Sequence, residues 1–217
     1  MSAPTSYLTV ARPATAETEV RRSRFLCRIE PVSTEEQARA VVEEERKRHW
    51  DARHHCSAFV LGRSAQVQRS SDDGEPSGTA GAPMLEVLCG RGVSDVVAVV
   101  TRYFGGVLLG AGGLVRAYSE AVRAGLDEAG VRERRLLRLY DVAVPHAQVG
   151  KVENGLRSRG VTVLAVDYED RAVLHLGVEP PTEADVLALL AGLTAGEASV
   201  EATGETWVAV PVPEAGH

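Results

Sequence analysis

Residues 70–118 read SSDDGEPSGTAGAPMLEVLCGRGVSDVVAVVTRYFGGVLLGAGGLVRAY. They contain ten of the 21 glycines in the chain. Its apolar centre, residues 96–100, is short and rich in β-branched side chains, which predicts a buried strand. One glycine-rich loop precedes this strand and a second follows it. Glycine adopts positive φ angles and permits a close approach of the backbone to a ligand. The sequence therefore predicts a functional site within this stretch.

The totals are typical of a globular protein. A length of 217 residues suits one large domain or two small ones, and 44% hydrophobic with 25% charged residues is an ordinary composition. No apolar run approaches the length of a membrane span. Arg21 and Arg22 resemble a twin-arginine export signal, but residues 27–30 (CRIE) are too polar for its apolar segment. We therefore expect a cytoplasmic protein.

The net charge of −6 is unevenly distributed. Residues 1–135 contain 19 basic and 18 acidic residues, whereas residues 136–217 contain 5 and 12. Charge alone therefore argues against a phosphate-binding surface in the C-terminal part. The three cysteines, Cys27, Cys56 and Cys89, are odd in number and widely spaced, which favours reduced thiols over a disulfide framework.

The order of the predicted elements divides the chain in two. The N-terminal part is predicted to contain strands at residues 7–10, 25–29, 55–61, 66–69 and 95–101, and helices that begin at Ser33, Pro83 and Leu114. Ser33 and Glu36 have the spacing of a capping box. A charged segment at residues 132–138 marks a change in composition, so we place a boundary between domains 1–134 and 135–217. The second domain follows the order βαββαβ, the ferredoxin-like pattern, and the predicted fold class is α+β.

The first glycine-rich loop offers two kinds of ligand. Its carboxylates, Asp72, Asp73 and Glu75, could hold a hard cation through their oxygen atoms. The segment Ser77, Gly78 and Thr79 could instead form an anion-binding nest of backbone N–H groups. The alternative is a tight Asp-Gly turn followed by helix caps. The sequence leaves these interpretations open.

The second loop leads directly into a helix, whose N-terminal N–H groups attract anions. Arg102 and Arg116 flank it, which favours a phosphate or carboxylate ligand, although Arg116 could also pair with Glu120 one turn away. Tyr103 could stack on a base or pack against the core. The remaining candidates for contact with an anion are the glycines of this loop, Gly105, Gly106, Gly112 and Gly113. The pattern is neither a Walker A motif nor a complete dinucleotide fingerprint.

A third group of candidates, Arg53, His54 and His55, precedes Cys56. Neighbouring side chains of a strand point to opposite faces, so these residues are not expected to converge on one metal ion. We assign Arg53, His54 and His55 a supporting role beside the two loops and predict no metal site and no cofactor.

Three ungapped motifs together resemble the IMPACT/YigZ family. They are DARHHC at residues 51–56, SDDGEPSGTAGAPML at 71–85 and RYFGGVLLGAGGLVRAY at 102–118. The resemblance covers residues 21–128 strongly, and the C-terminal part is similar to the family's bacterial second domain in length and strand order. It implies an N-terminal α/β domain of the type shared by a ribosomal protein and the GHMP kinases. It also implies a ferredoxin-like C-terminal domain that resembles domain V of elongation factor G.

The resemblance implies a role in translational control, because eukaryotic members inhibit activation of the kinase that phosphorylates initiation factor 2. For bacterial members it implies nucleic-acid binding through fold likeness. Kinase activity is not expected, since the helix entry has Ala111 and no serine. We expect a non-enzymatic regulator that binds RNA, the ribosome or a translation factor through the two loops. The alternatives are an enzyme or sensor for a phosphate or nucleotide ligand, and a pure protein-interaction module.

Overall fold

A computed structural model describes residues 4–211 of the chain. The described residues up to Glu133, together with 210 and 211, form one compact unit, and Arg134–Ala209 form a second. We call them the N-terminal and the C-terminal unit. The division after Glu133 lies one residue from the predicted boundary, although the last two described residues belong to the first unit.

The N-terminal unit contains the strands β1 (Ser6–Val10), β2 (Ala14–Val20), β3 (Ser23–Pro31), β4 (His54–Leu61), β5 (Val67–Ser71) and β6 (Val96–Tyr103). All of them except β1 form one antiparallel sheet with the strand order β2-β3-β6-β4-β5. Its helices are α1 (Glu35–Arg48), α2 (Gly81–Gly90) and α3 (Ala111–Ala129). The predicted buried strand is thus β6, the central strand of the sheet.

Strand β6 is apolar throughout because helices cover both faces of the sheet. Val97 and Val99 belong to the core beneath α1, whereas Val96, Ala98 and Val100 belong to the core beneath α2 and α3. All five side chains are fully buried. A strand that is covered on both faces requires apolar residues at successive positions, and each buried valine contributes about 1.5–3 kcal/mol.

The predicted helices exist, but they begin at other residues. Thr34, and not Ser33, caps α1: its side chain accepts a hydrogen bond from the N–H of Gln37 at 3.2 Å. The side chain of Gln37 accepts from the N–H of Ser33 at 2.7 Å, so the reciprocal capping pattern lies one residue later than predicted. Helices α2 and α3 begin at Gly81 and Ala111, two and three residues before the predicted starts.

The elements of the C-terminal unit are β7 (Val131–Val144), α4 (Val149–Arg157), β8 (Thr162–Tyr168), β9 (Ala172–Val178), α5 (Glu183–Thr194) and β10 (Ser199–Pro211). Its strands have the order β10-β7-β9-β8, which is the ferredoxin-like order. Buried side chains from β7 and β9, such as Val142 and Leu174, pack against Val152 and Leu156 of α4 and Leu190 of α5. The predicted α+β class is confirmed, with two antiparallel sheets and five α-helices in the described residues.

No helix within residues 4–211 has both the length and the apolar character needed to cross a bilayer.

Candidate functional site

Both glycine-rich loops lie at one end of the N-terminal sheet. Strand β6 ends there at Tyr103, whose Cα partner is Arg24 near the start of β3, and Arg102 is paired with His54 at the start of β4. The first loop reaches the same place, because a ring nitrogen of His54 hydrogen-bonds the carbonyl oxygen of Asp73 at 2.9 Å. We call this region, residues 21–24, 50–54, 72–79 and 102–116, the loop end.

The first loop folds around the carboxylate of Asp72. One oxygen accepts hydrogen bonds from the N–H groups of Ala80 (3.0 Å) and Gly81 (2.8 Å), and the other accepts from Gly78 (2.8 Å). Burial disfavours the charged form, but the three donors outweigh it and hold the pKa of Asp72 below its usual range. The N–H groups around the start of α2 are therefore already bound to an anion supplied by the chain itself.

Asp73 and Gly74 form the tight turn that their sequence predicts. Their φ angles are +42° and +85°, and the N–H of Glu75 donates to the carbonyl oxygen of Asp72 at 3.0 Å, as in a type I′ turn. The carboxylate of Asp73 accepts from Arg46 of α1 at 2.7 Å and from the N–H of His55 at 2.6 Å. Asp73 thus ties the turn to α1 and β4.

Glu75 is a buried carboxylate with two partners. Arg102 donates to it at 2.7 Å and the hydroxyl of Tyr118 donates to the same oxygen at 2.8 Å. The side chains of Glu75 and Arg102 are 3% and 8% exposed, so this ion pair is shielded from solvent. The guanidinium also lies 5.6 Å from the ring centres of Phe25 and Phe104. Arg102 is therefore neutralised inside the protein and does not present a free cation.

Cys56 completes this buried network, since its thiol donates to the hydroxyl of Tyr118 at 3.3 Å. Burial raises the pKa of the Cys56 thiol to about 12, and burial also raises the pKa of Tyr118. A thiol with so high a pKa is a poor nucleophile at neutral pH. Among the described residues no cluster of three or more His, Cys, Asp and Glu side chains is arranged to hold a metal ion.

The second loop exposes apolar side chains. Phe104, Val107 and Leu108 are 52%, 40% and 82% exposed. The loop ends at Gly110, whose φ is +71°, and α3 then begins without a side-chain cap from any described residue. The loop end thus combines exposed apolar groups with an open helix N-terminus, which carries partial positive charge.

Arg21 and Arg22 also belong to the loop end, although the sequence did not indicate them as candidates for the site. They form the turn between β2 and β3, both side chains are exposed, and their φ angles are +49° and +68°. Arginine is unusual in this backbone region, which glycine and asparagine favour, so sequence rules for turns do not identify the pair. The signal that could have found it is the alternating pattern of residues 14–20 and 23–29 on either side of the two arginines.

The loop end contains two further exposed arginines, Arg53 and Arg116. Across residues 4–211 neither side chain has an ion-pair or hydrogen-bond partner, so Arg116 does not pair with Glu120. The same is true of Arg21 and Arg22 within that range.

Tyr103 is held by its neighbours. Its hydroxyl donates to Asp51 at 3.0 Å and lies 3.0 Å from a ring nitrogen of His49. The guanidinium of Arg24 lies 5.7 Å from its ring centre. Burial, with a further contribution from Asp51, raises the pKa of Tyr103.

The charged residues among the predicted ones differ in their contacts. The side chains of Asp72, Asp73, Glu75 and Arg102 are each held by short hydrogen bonds. Within residues 4–211, Arg53 and Arg116 are exposed cations without a partner. The anion-binding role assigned to Ser77, Gly78, Thr79, Gly105, Gly106, Gly112 and Gly113 stays a prediction.

The chain matches two family models and is similar to several known proteins. Residues 21–126 match the "Impact N-terminal domain" and residues 142–197 match a "Domain of unknown function (DUF1949)". The "IMPACT family member YvyE" of Bacillus subtilis is 42% identical over 196 residues, which are 90% of each chain. The "IMPACT family member YigZ" of Escherichia coli is 38% identical over 202 residues, 92% of this chain and 99% of that one.

A solved crystal structure of "an hypothetical protein" has the same fold. It is 37% identical, has a TM-score of 0.61 and covers 92% of this chain and 98% of its own.

Proposed function

Because the chain belongs to the IMPACT family, we propose that it is a cytoplasmic regulatory protein that acts on translation by binding ribosomal RNA through the loop end. Four exposed arginines without a partner in the described residues support this proposal: Arg21, Arg22, Arg53 and Arg116. Arginine binds phosphate in a bidentate manner, and a cluster of free arginines adds binding energy with each phosphate contacted.

Exposed apolar groups beside these arginines fit RNA in particular. Phe104 is half exposed, and aromatic rings bind unpaired bases by stacking, a contribution of about 1–3 kcal/mol per base. Leu108 is 82% exposed in the same loop. A polyanion with splayed bases would cover both kinds of group at once.

The contacts of the first loop disfavour the alternative of a closed phosphate or nucleotide pocket. The carboxylate of Asp72 already occupies the N–H groups at the start of α2, and Glu75 neutralises Arg102. A small anion at the first loop would have to displace these carboxylates. Binding to the exposed arginines needs no such displacement.

The test is binding of the full chain to purified ribosomes, to structured RNA and to ribosome-free translation factors over a range of salt concentrations. The proposal predicts that the logarithm of the affinity for ribosomes and RNA falls linearly with the logarithm of salt. The Arg53→Gln/Arg116→Gln variant should bind more weakly, with a salt slope smaller by about 0.7–0.9 for each phosphate that it no longer neutralises.

The matched control is Arg69→Gln/Arg123→Gln, which also removes two exposed arginines but leaves the loop end intact. A flat salt response would contradict RNA binding. Equally weakened binding in the two double variants would contradict the loop end as the surface that binds RNA. Binding to a translation factor without RNA, or to ribosomes with no salt dependence, would instead favour the protein-interaction module.

A further inference from the structure

The C-terminal unit contains a cavity of about 340 Å³. It lies at the end of the sheet where β9 finishes and β8 begins, beside the cross-strand pair Thr162 and Gly177. The turn between α4 and β8 and the first turns of α5 form its other walls. This volume falls within the range of small-molecule sites.

The floor of the cavity is apolar. Leu137, Val178 and Val186 line it and are 4%, 2% and 5% exposed. Gly177 allows this floor to form, because a Cβ atom on residue 177 would lie 2.7 Å from the side chain of Leu137. Leu189 of α5 adds a half-buried apolar wall.

The cavity is also lined by two exposed groups of opposite charge, Arg159 and Asp185. In the described part of the chain, the side chain of neither residue has a hydrogen-bond or ion-pair partner, so the two do not pair with each other. By contrast, Glu179 on the same cavity is paired with Arg135 at 3.2 Å. Within residues 4–211, the cavity therefore offers an unpaired cation and an unpaired anion beside an apolar floor.

These groups select a ligand by charge and shape. A carboxylate would bind Arg159 through a bidentate contact, an ammonium group would bind Asp185, and an apolar side chain would lie on the floor. A phosphate dianion fits less well, because Asp185 and Glu179 would repel it.

We propose that the C-terminal unit binds a free α-amino acid with an apolar side chain in this cavity. The proposal rests on the C-terminal unit alone and is independent of the proposed RNA binding.

Calorimetric titration of the full chain tests it, with L-leucine and L-phenylalanine as probes. The blocked analogues N-acetyl-L-leucine and L-leucine methyl ester each lack one of the two charges. Both free amino acids should bind, and each analogue should bind at least about tenfold more weakly, since it cannot form one of the two charged interactions.

Substitutions in the cavity test whether L-leucine binds there. Arg159→Gln and Asp185→Asn should each weaken L-leucine binding by about tenfold or more. The matched controls Arg157→Gln and Asp170→Asn change exposed charges that do not line the cavity, and they should bind as the unaltered chain does.

Three results would overturn the proposal. The first is that neither amino acid binds at millimolar concentration. The second is that a blocked analogue binds as tightly as free L-leucine. The third is that Arg159→Gln and Asp185→Asn both bind L-leucine with unchanged affinity. Because all four substitutions are at exposed positions, circular dichroism should show the same folded state in the four variants.

Discussion

Gly105 and Arg22 are in backbone contact: a Cβ atom on residue 105 would lie 2.0 Å from the carbonyl carbon of Arg22. The N–H of Gly105 also donates to the hydroxyl of Ser23 at 3.2 Å. The second loop and the β2–β3 turn therefore pack as one body at the loop end, and only glycine fits at position 105.

We predict that Gly105→Ala lowers the free energy of unfolding by about 3 kcal/mol, because a backbone clash cannot be relieved by a side-chain rotation. Urea denaturation measures this change. Gly112→Ala is the matched control: a Cβ atom there meets nothing within 4 Å, and alanine suits a helix. A destabilisation of Gly105→Ala no larger than that of Gly112→Ala would contradict the close packing.

The Arg21–Arg22 turn should show opposite effects on stability and on RNA binding. Arg21→Asn/Arg22→Gly places residues that favour positive φ at both positions, so we expect the melting temperature to rise by about 2–4 °C. The same change removes two free cations and should weaken RNA binding and reduce its salt dependence.

Arg21→Lys/Arg22→Lys keeps the charge and the backbone conformation and serves as the control for this experiment. A lower melting temperature in the Asn/Gly variant would show that the turn is not strained. An unchanged affinity for RNA would show that the turn is not part of the binding surface. RNA binding would then depend on Arg53 and Arg116.

The buried pair Glu75–Arg102 should be sensitive to the removal of either charge. Glu75→Gln leaves the guanidinium of Arg102 buried without a carboxylate, and we expect the free energy of unfolding to fall by about 3 kcal/mol. Replacing both members, Glu75→Leu/Arg102→Met, should recover much of this stability because no charge is then buried unpaired.

The exposed pair of Glu43 and Arg46 provides the comparison, and Glu43→Gln should cost less than about 1 kcal/mol. Urea denaturation of these variants measures each change in the free energy of unfolding. Equal destabilisation by Glu75→Gln and Glu43→Gln would contradict the importance of burial for this ion pair.

His175 should make the stability of the C-terminal unit depend on pH. It hydrogen-bonds Asp141 at 2.6 Å and Asp167 at 3.1 Å, and these bonds, that to Asp141 first, raise its pKa. A pKa that is higher in the folded state means that the folded state binds the proton more tightly. The stabilisation is thus complete below the unfolded value of about 6.5 and is lost as the pH rises through the folded value.

We therefore expect the chain to be more stable at pH 6 than at pH 8, a difference that His175→Gln should reduce. Urea denaturation at several pH values measures the difference, and NMR titration of the imidazole gives the pKa directly. His146→Gln, which removes an exposed histidine of the same unit, is the control. If the difference in stability between pH 6 and pH 8 were unchanged in His175→Gln, it would have to come from other titratable groups.

Local patterns predicted those parts of the fold that depend on neighbouring residues. The β-branched run at residues 96–100 identified the central strand, and the Asp73-Gly74 pair identified a tight turn, which is of type I′. The order of apolar segments indicated the ferredoxin-like unit. In each case the signal lies within a few residues or in the sequence of elements.

The partners of the candidate site residues could not be predicted, because they come together only through the tertiary fold. Arg102 meets Glu75, which lies 27 residues earlier in the chain. Asp72 reaches the N–H of Gly81 across a loop, so the carboxylate that resembled a metal ligand is a helix cap. The Arg21–Arg22 turn has no composition signal at all, since arginine is not a turn-forming residue.

The central position of β6 also determines when the N-terminal unit can fold during synthesis. Strands β3 and β4 leave the ribosome first, but in the finished sheet each of them pairs with β6 and not with the other. Until β6 has been made, each of the two strands keeps one unpaired edge. The sheet of the N-terminal unit therefore cannot be completed during synthesis until Tyr103 has emerged.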